Sequence, residues 1–334
     1  MSNVTILGAG TWGMGIAILL HNNGHAVTVW SAVPAEIEML QTKHEHNNLP
    51  GVTIPAGIAV NGDLPSALAG ADLVVMAVAS VFTRRTAKLA APLIPEGQVI
   101  VNVAKGIEED TLALLSQQIE EEIPQANVAV LSGPSHAEEV SRGIPTTVVI
   151  GARDRQTAEW LQNLFMSEVF RVYTSPDILG IELGGSLKNV IALAAGIADG
   201  LGYGDNTKAA LITRGMAEIS RLGLAMGAKS ETLYGLSGIG DLIVTCASMH
   251  SRNRRAGILM GQGRTMEEAM KEVNMVVEGV YSAKAAKALA DRYQVNMPIV
   301  EEVNKVLFEG ACASDAVRNL MLRDRTSESH LPWK

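Results

Sequence analysis

The chain has 334 residues, enough for two domains, and its 47% hydrophobic and 19% charged content is that of a globular protein with large buried faces rather than a disordered one. A net charge of −8 argues against general attraction to nucleic acid or to an anionic membrane surface, because both rest on an excess of Lys and Arg; any anion site must be local. Two cysteines, Cys246 and Cys312, are too few for a disulfide framework and lack metal-ligand spacing. They read as free thiols of a reducing compartment, and with no signal-peptide pattern in the opening residues the cytoplasm is the expected location.

In chain order, short β-branched runs at residues 4–7, 27–30, 73–78 and 99–103 alternate with helical patterns, the sequence form of a parallel sheet covered on both faces. Further strands are expected at 128–131, 146–150 and 169–173. From Ser175 the alternation gives way to helical stretches over 178–201, 207–226, 265–273 and 279–310. Ser175-Pro176-Asp177 reads as a helix start, Thr265 and Glu268 fit a capping box, and the polar tail over 323–334 is expected to fray. Residues 178–201 are apolar over about the length of a membrane span, but Glu182, Lys188 and Asp199 interrupt them at a cost in lipid that favours a buried helix.

The first run leads directly into Gly8-Ala9-Gly10-Thr11-Trp12-Gly13, and a helical pattern of Ile16, Ala17, Leu19 and Leu20 follows. In that context Gly8 permits a tight turn, Gly10 lets backbone approach a pyrophosphate, and Gly13 lets helix pack on strand, with the helix N-terminus offering amides to the anion. A merely flexible turn is the alternative. The expected fold class is therefore α/β, a Rossmann-type doubly wound sheet over residues 1–175 followed by an all-helical domain over 176–334. Where an acidic residue would end the second strand and bind the ribose of NAD, the chain has Ser31-Ala32-Val33, with Glu36 and Glu38 in the following helix. No arginine stands there to meet a 2′-phosphate, so the turn excludes neither cofactor and dual use, with NADH competitive, is expected.

In the second half, Lys188 lies on an otherwise apolar helix, where an ammonium must be paired, solvated in a cleft or partly neutralised; those conditions suit an acid/base lysine. A lysine reaching to the surface is the alternative. Asp199, three turns further along, cannot neutralise it. Ser251-Arg252-Asn253-Arg254-Arg255 supplies donors suited to a phosphate monoester, or simply a solvated basic helix start. Asp241, in the glycine-rich Ser237-Gly238-Ile239-Gly240-Asp241, has helix capping as its plain reading. His136 and Cys246 have no partner spacing for a metal or for thiol catalysis.

Taken together, GAGTWG (8–13), VAKGIE (103–108), LSGPSHAEEV (131–140), SLKNVIAL (186–193), SGIGDL (237–242), SRNRR (251–255) and VVEG (276–279) resemble the bacterial NAD(P)-dependent glycerol-3-phosphate dehydrogenases, in order and spacing from residue 6 to about 320. The resemblance implies interconversion of dihydroxyacetone phosphate and sn-glycerol 3-phosphate with NAD(H) and/or NADP(H), for glycerophospholipid synthesis, and allows a homodimer. It implies Lys188 as the catalytic residue. Thr11, Trp12 and Ala137 would contact the cofactor with the glycines, Lys105 both cofactor and substrate, and Gly133 and Ser135 the substrate. Asp241, Ser251, Arg252 and Asn253 match substrate-binding positions, with Arg252, Val276 and Glu278 also at the cofactor. Asn189 and Thr245 match substrate contacts of the eukaryotic relatives. Many family members carry arginine where this chain has Ser31-Ala32. Two rival readings are a dehydrogenase of similar build acting on a hydroxy acid or ketopantoate-like substrate, and a non-catalytic dinucleotide sensor.

Overall fold

A computed structural model of the protein describes residues 1–328; residues 329–334, the end of the tail expected to fray, lie outside the described residues. Eight strands form one sheet: β1 (Asn3–Leu7), β2 (Ala26–Trp30), β3 (Ala59–Asn61), β4 (Leu73–Met76), β5 (Val99–Asn102), β6 (Asn127–Ser132), β7 (Thr146–Gly151) and β8 (Phe170–Ser175), in the order β3-β2-β1-β4-β5-β6-β7-β8. Neighbours such as Ile6 and Leu7 point to opposite faces, Ile6 into the layer holding Met14, Ile16 and Leu20, and Leu7 into that holding Met76, Ile100 and Ile119. Both faces are covered, which is why these strands read as continuous apolar runs.

Two features of the sheet depart from the sequence reading. β3, a three-residue edge strand, has no apolar run to announce it. β7 pairs antiparallel with β6, because residues 133–145 turn back over the same edge of the sheet instead of crossing it. β8 runs with β7, so the chain leaves the sheet at the opposite edge and the helix Ile178–Gly200 climbs back alongside β6. Ile178 and Ile181 pack at Gly151, while Gly185 lies by Ser132 at the end of β6. At 1.5 Å per residue, that climb carries Lys188 to the C-terminal edge of the parallel strands, beside the glycine-rich turn.

The helical half is built around this helix, whose residues 180–198 are buried; it is the one helix among the described residues long and apolar enough to span a bilayer. Asp177 caps it, accepting from the amide of Gly180 at 3.0 Å and from that of Lys229 at 2.8 Å. Thr265 and Glu268 form the capping box of Met266–Val273. The stretch 279–310 is two helices, Glu278–Tyr293 and Pro298–Phe308, because Gln294 takes a left-handed conformation (φ 54) just before Pro298. Over 230–261 no long apolar period marks the helices, and the sequence offers only a helix start at Ser251 and a cap at Asp241 as plain readings; a π-helical turn, Leu236–Gly240, leads into Asp241–Ala247 and then Arg252–Gly261.

The Arg252–Gly261 helix crosses the buried one with almost no separation. A Cβ added at Gly196 would overlap the carbonyl oxygen of Arg254, and one at Gly257 would overlap that of Leu193. Both obstacles are backbone, so the helices would have to move apart. Gly196→Val is therefore expected to destabilise the protein by at least ~1–3 kcal/mol, the usual cost of overpacking, read as a lower urea midpoint at unchanged slope. An unchanged midpoint would show that the crossing is not close-packed.

Candidate active site

The end of β1 runs into Gly8, whose φ of 120° only glycine adopts freely and whose added Cβ would stand 2.8 Å from the amide nitrogen of Val78. A Cβ at Gly13 would overlap the carbonyl of Gly8, so helix α1 (Thr11–Asn22) lies directly on the turn, and nothing stands within 4 Å of the Cβ position of Gly10. Gly10 caps α1 without a side chain and the first turn has no acidic residue, which leaves its amides and the positive helix end for an anion. The buried hydroxyl of Thr11 has no partner among the described residues. Trp12 donates its indole N–H to the carbonyl of Val103 at 3.0 Å, tying α1 to the loop that carries Lys105. These groups fit the diphosphate of a dinucleotide.

Beside this turn, Asp241 accepts from Lys105 Nζ at 2.6 Å through one oxygen and from Lys188 Nζ through the other. Lys105 also donates to the carbonyl of Gly133 at 3.0 Å, an oxygen that Ser135 Oγ meets at 2.9 Å. Lys188 donates to Thr245 Oγ1 at 2.7 Å, and that hydroxyl donates to the carbonyl of Asp241 at 2.6 Å. Lys188 is 5% exposed and Asp241 1%. Burial pushes the Lys188 ammonium down to about 7, opposed by the Asp241 carboxylate and helped by Lys105. Burial also pushes Asp241 up, but the two ammonium groups outweigh it and hold the carboxyl below its ordinary range. Two cations around one carboxylate leave the cluster one positive charge in excess, a setting for an oxyanion. Asp241 is thus not a helix cap, and Lys188 does not reach the surface.

Several buried polar atoms lack partners among the described residues: Ser132 Oγ, Ser237 Oγ and His136 Nε2. His136 is held neutral, its pKa pushed down to about 4 by burial and then by Lys188. Since buried polar groups are rarely left unpaired, this cluster is shaped for a polar ligand.

Across the helix crossing, Asn253 donates to Asn189 Oδ1 at 2.9 Å and accepts from the amide of Gly279 at 2.8 Å, joining three segments. Ser251 caps its helix, accepting from the amide of Arg254 at 3.2 Å. Arg254 is engaged by Asp199 at 2.7 Å, which also holds Lys208 at 2.9 Å, whereas Arg252 has no ion pair among the described residues. Glu278, following Val276, accepts from the amide of Ser80 at 3.2 Å and from its hydroxyl, linking the helical half to the loop after β4. Burial raises its pKa, partly offset by Ser80 and by the nearby Arg252 guanidinium. Ala137 opens a short helix against Gly15 of α1.

Ser80, Ser132 and Ser237 were not singled out in the sequence, and His136 was weighed there only for metal or thiol chemistry. His136 stands inside the LSGPSHAEEV motif and could have been weighed as a neutral ligand contact, while Ser80 has no local signal, being 198 residues from its partner. The turn after β2 also differs: Glu36, in helix α2 (Pro34–Lys43), folds back to accept from Ser31 Oγ at 2.6 Å, so a carboxylate does stand there.

A dinucleotide turn, a lysine with lowered pKa and an excess of positive charge at the C-terminal edge of a doubly wound sheet define a nicotinamide-dependent dehydrogenase. Residues 3–158 match the family described as NAD-dependent glycerol-3-phosphate dehydrogenase N-terminus, and residues 177–318 its C-terminus. The chain belongs to this family. The glycerol-3-phosphate dehydrogenase [NAD(P)+] of Agathobacter rectalis is 66% identical with all of both chains covered, and that of Fusobacterium nucleatum 57% identical over 98% of this chain and 99% of the other. The crystal structure of glycerol-3-phosphate dehydrogenase from Coxiella burnetii superposes with a TM-score of 0.93 at 36% identity, covering 96% of this chain and 99% of that one. A ketopantoate reductase from Ralstonia eutropha (TM-score 0.64, 17% identity, covering 94% and 99%) shares the fold alone.

Removing the carboxylate between the two ammonium groups tests the cluster directly. Asp241→Asn should cost ~3–5 kcal/mol, as breaking one side of a buried pair does. Without Asp241 the Lys188 pKa falls below 7, while the unfolded lysine keeps its ordinary, much higher value. The folded variant then sheds its proton at lower pH than wild type, so the penalty is greatest in acid and shrinks as pH rises to about 7. Urea midpoints of both proteins from pH 5 to 9 would read this; a penalty independent of pH would contradict the pairing.

Proposed function

We propose that this chain catalyses the reversible reduction of dihydroxyacetone phosphate to sn-glycerol 3-phosphate with NAD(P)H, supplying glycerophospholipid synthesis. The observation that carries the reading is the buried Lys188–Asp241–Lys105 cluster beside the dinucleotide turn. Residues 1–175 hold the dinucleotide and residues 176–334 the substrate, with Lys105 the main contribution of the first half to the second.

When bound, the nicotinamide supplies the hydride that reaches the carbonyl carbon, C2. Charge then develops on the C2 oxygen, where the Lys188 ammonium stabilises it and gives up its proton to form the alcohol. A pKa of about 7 lets the neutral amine persist after the transfer, and in the reverse direction lets it take the hydroxyl proton. Asp241 holds Lys188 in place from one oxygen and Lys105 from the other, while Thr245 fixes a further donor direction of the ammonium. Lys105, Gly133, Ser135 and Asn189 contact the substrate. Arg252, which makes no ion pair among the described residues, grips the phosphate together with Ser251 and Asn253, and its hold positions C2.

We place the enzyme in the cytoplasm, without a nucleic-acid partner or membrane insertion. The net charge of −8 and the burial of the one long apolar helix among the described residues support this.

Lys188→Ala is expected to lower kcat by at least ~10², with cofactor affinity unchanged, in steady-state assays of nicotinamide absorbance. A variant within threefold of wild type would overturn the role of Lys188. Arg252→Ala is expected to weaken use of dihydroxyacetone phosphate by ~2–4 kcal/mol in kcat/KM. Equal loss with unphosphorylated dihydroxyacetone would remove Arg252 as the phosphate contact.

A further inference from the structure

The segment after β2 has the strongest feature that the reaction leaves unused. Ser31, 3% exposed, is fixed at the strand end: its hydroxyl accepts from the amide of Val33 at 3.1 Å and donates to Glu36 Oε2 at 2.6 Å. Glu36 Oε1 has no protein partner among the described residues. The strand end is itself joined to the dinucleotide turn, since the amide of Gly8 donates to the carbonyl of Trp30 at 2.9 Å.

On the other side stands His46, 6% exposed, with Nε2 at 3.1 Å from the carbonyl of Ala9. Its Nδ1 accepts from the amide of Asn48, so Nε2 carries the proton and the ring is neutral while donating to the turn. Burial lowers its pKa and the Glu36 carboxylate partly offsets this, which places Glu36 within electrostatic reach of the turn's own support. Residues 31–42 contain no Lys or Arg. In a dinucleotide fold the adenosine ribose lies between the end of the second strand and the first glycine of the turn, and that is where this carboxylate is held.

We propose that Glu36 selects the cofactor: it accepts hydrogen bonds from the adenosine ribose hydroxyls of NADH and repels the 2′-phosphate of NADPH. The inference rests on the dehydrogenase reading and narrows it. It replaces the expectation of even-handed use, which assumed that no acidic side chain stood at this turn; the carboxylate comes from the first turn of α2, five residues beyond Ser31, and reaches back. Ser31 is a positioning residue, aiming Glu36 without contacting the nucleotide's charge.

The test is equilibrium binding of NADH and of NADPH to the full chain, followed by nicotinamide fluorescence in the absence of substrate. Wild type should bind NADH at least tenfold more tightly than NADPH. Glu36→Gln retains an acceptor for Ser31 and should cut that ratio at least fivefold, with NADPH binding more tightly than before. Ser31→Ala, which keeps the charge but frees it, should loosen NADH while leaving NADPH weakly bound. A wild-type ratio below tenfold, or a ratio that survives Glu36→Gln, overturns the inference while leaving the dehydrogenase reading intact. Binding of neither nucleotide would overturn both.

Discussion

The site depends on one buried carboxylate shared by two ammonium groups. Asp241 makes it tolerable to bury Lys188, since an isolated ammonium in an apolar helix would neutralise outright or force the helix apart. Because Lys105 competes for the same carboxylate, the compensation is incomplete, and the Lys188 pKa settles at about 7 instead of returning to that of a free lysine. Acid/base competence and residual positive charge thus come from one arrangement, in which a single carboxylate is asked to neutralise two cations.

The fold delivers the three partners from distant parts of the chain. Lys105 follows β5, at the edge where the glycine-rich turn ends β1. The reversal of β7 sends the chain to the far edge of the sheet, and the long helix then has the length to bring Lys188 back level with Lys105. Asp241 follows directly on a π-helical turn packed against that helix, a wider winding that recurs at functional sites. The glycine crossing of the two helices brings Asn253 against Asn189, so the proposed phosphate and carbonyl ends of the site would share one support.

Much of this was legible in the residues. The glycine turn between strand and helix, the doubly wound half, the helical second half and the anomaly of Lys188 each carry a local physical signature. The antiparallel reversal was not legible, because residues 146–150 are equally apolar in either direction. Nor was β3, which is short and half-exposed, or the break at Gln294, where a polar residue takes a left-handed turn without a glycine to mark it. At the site, the helix-cap reading of Asp241 failed because its partners lie 53 and 136 residues away. Glu36 was correctly placed in a helix, but only the backbone shows that a helix starting at Pro34 returns its first-turn carboxylate to Ser31.

The central claim, that burial against an incomplete counter-charge brings the Lys188 pKa to about 7, is tested most directly by titrating its ammonium in the intact enzyme. With 13C-labelled lysine, the Lys188 side-chain resonance, assigned by its loss in Lys188→Arg, should move with a midpoint near pH 7. A midpoint near 10, where an unperturbed lysine titrates, would contradict the account.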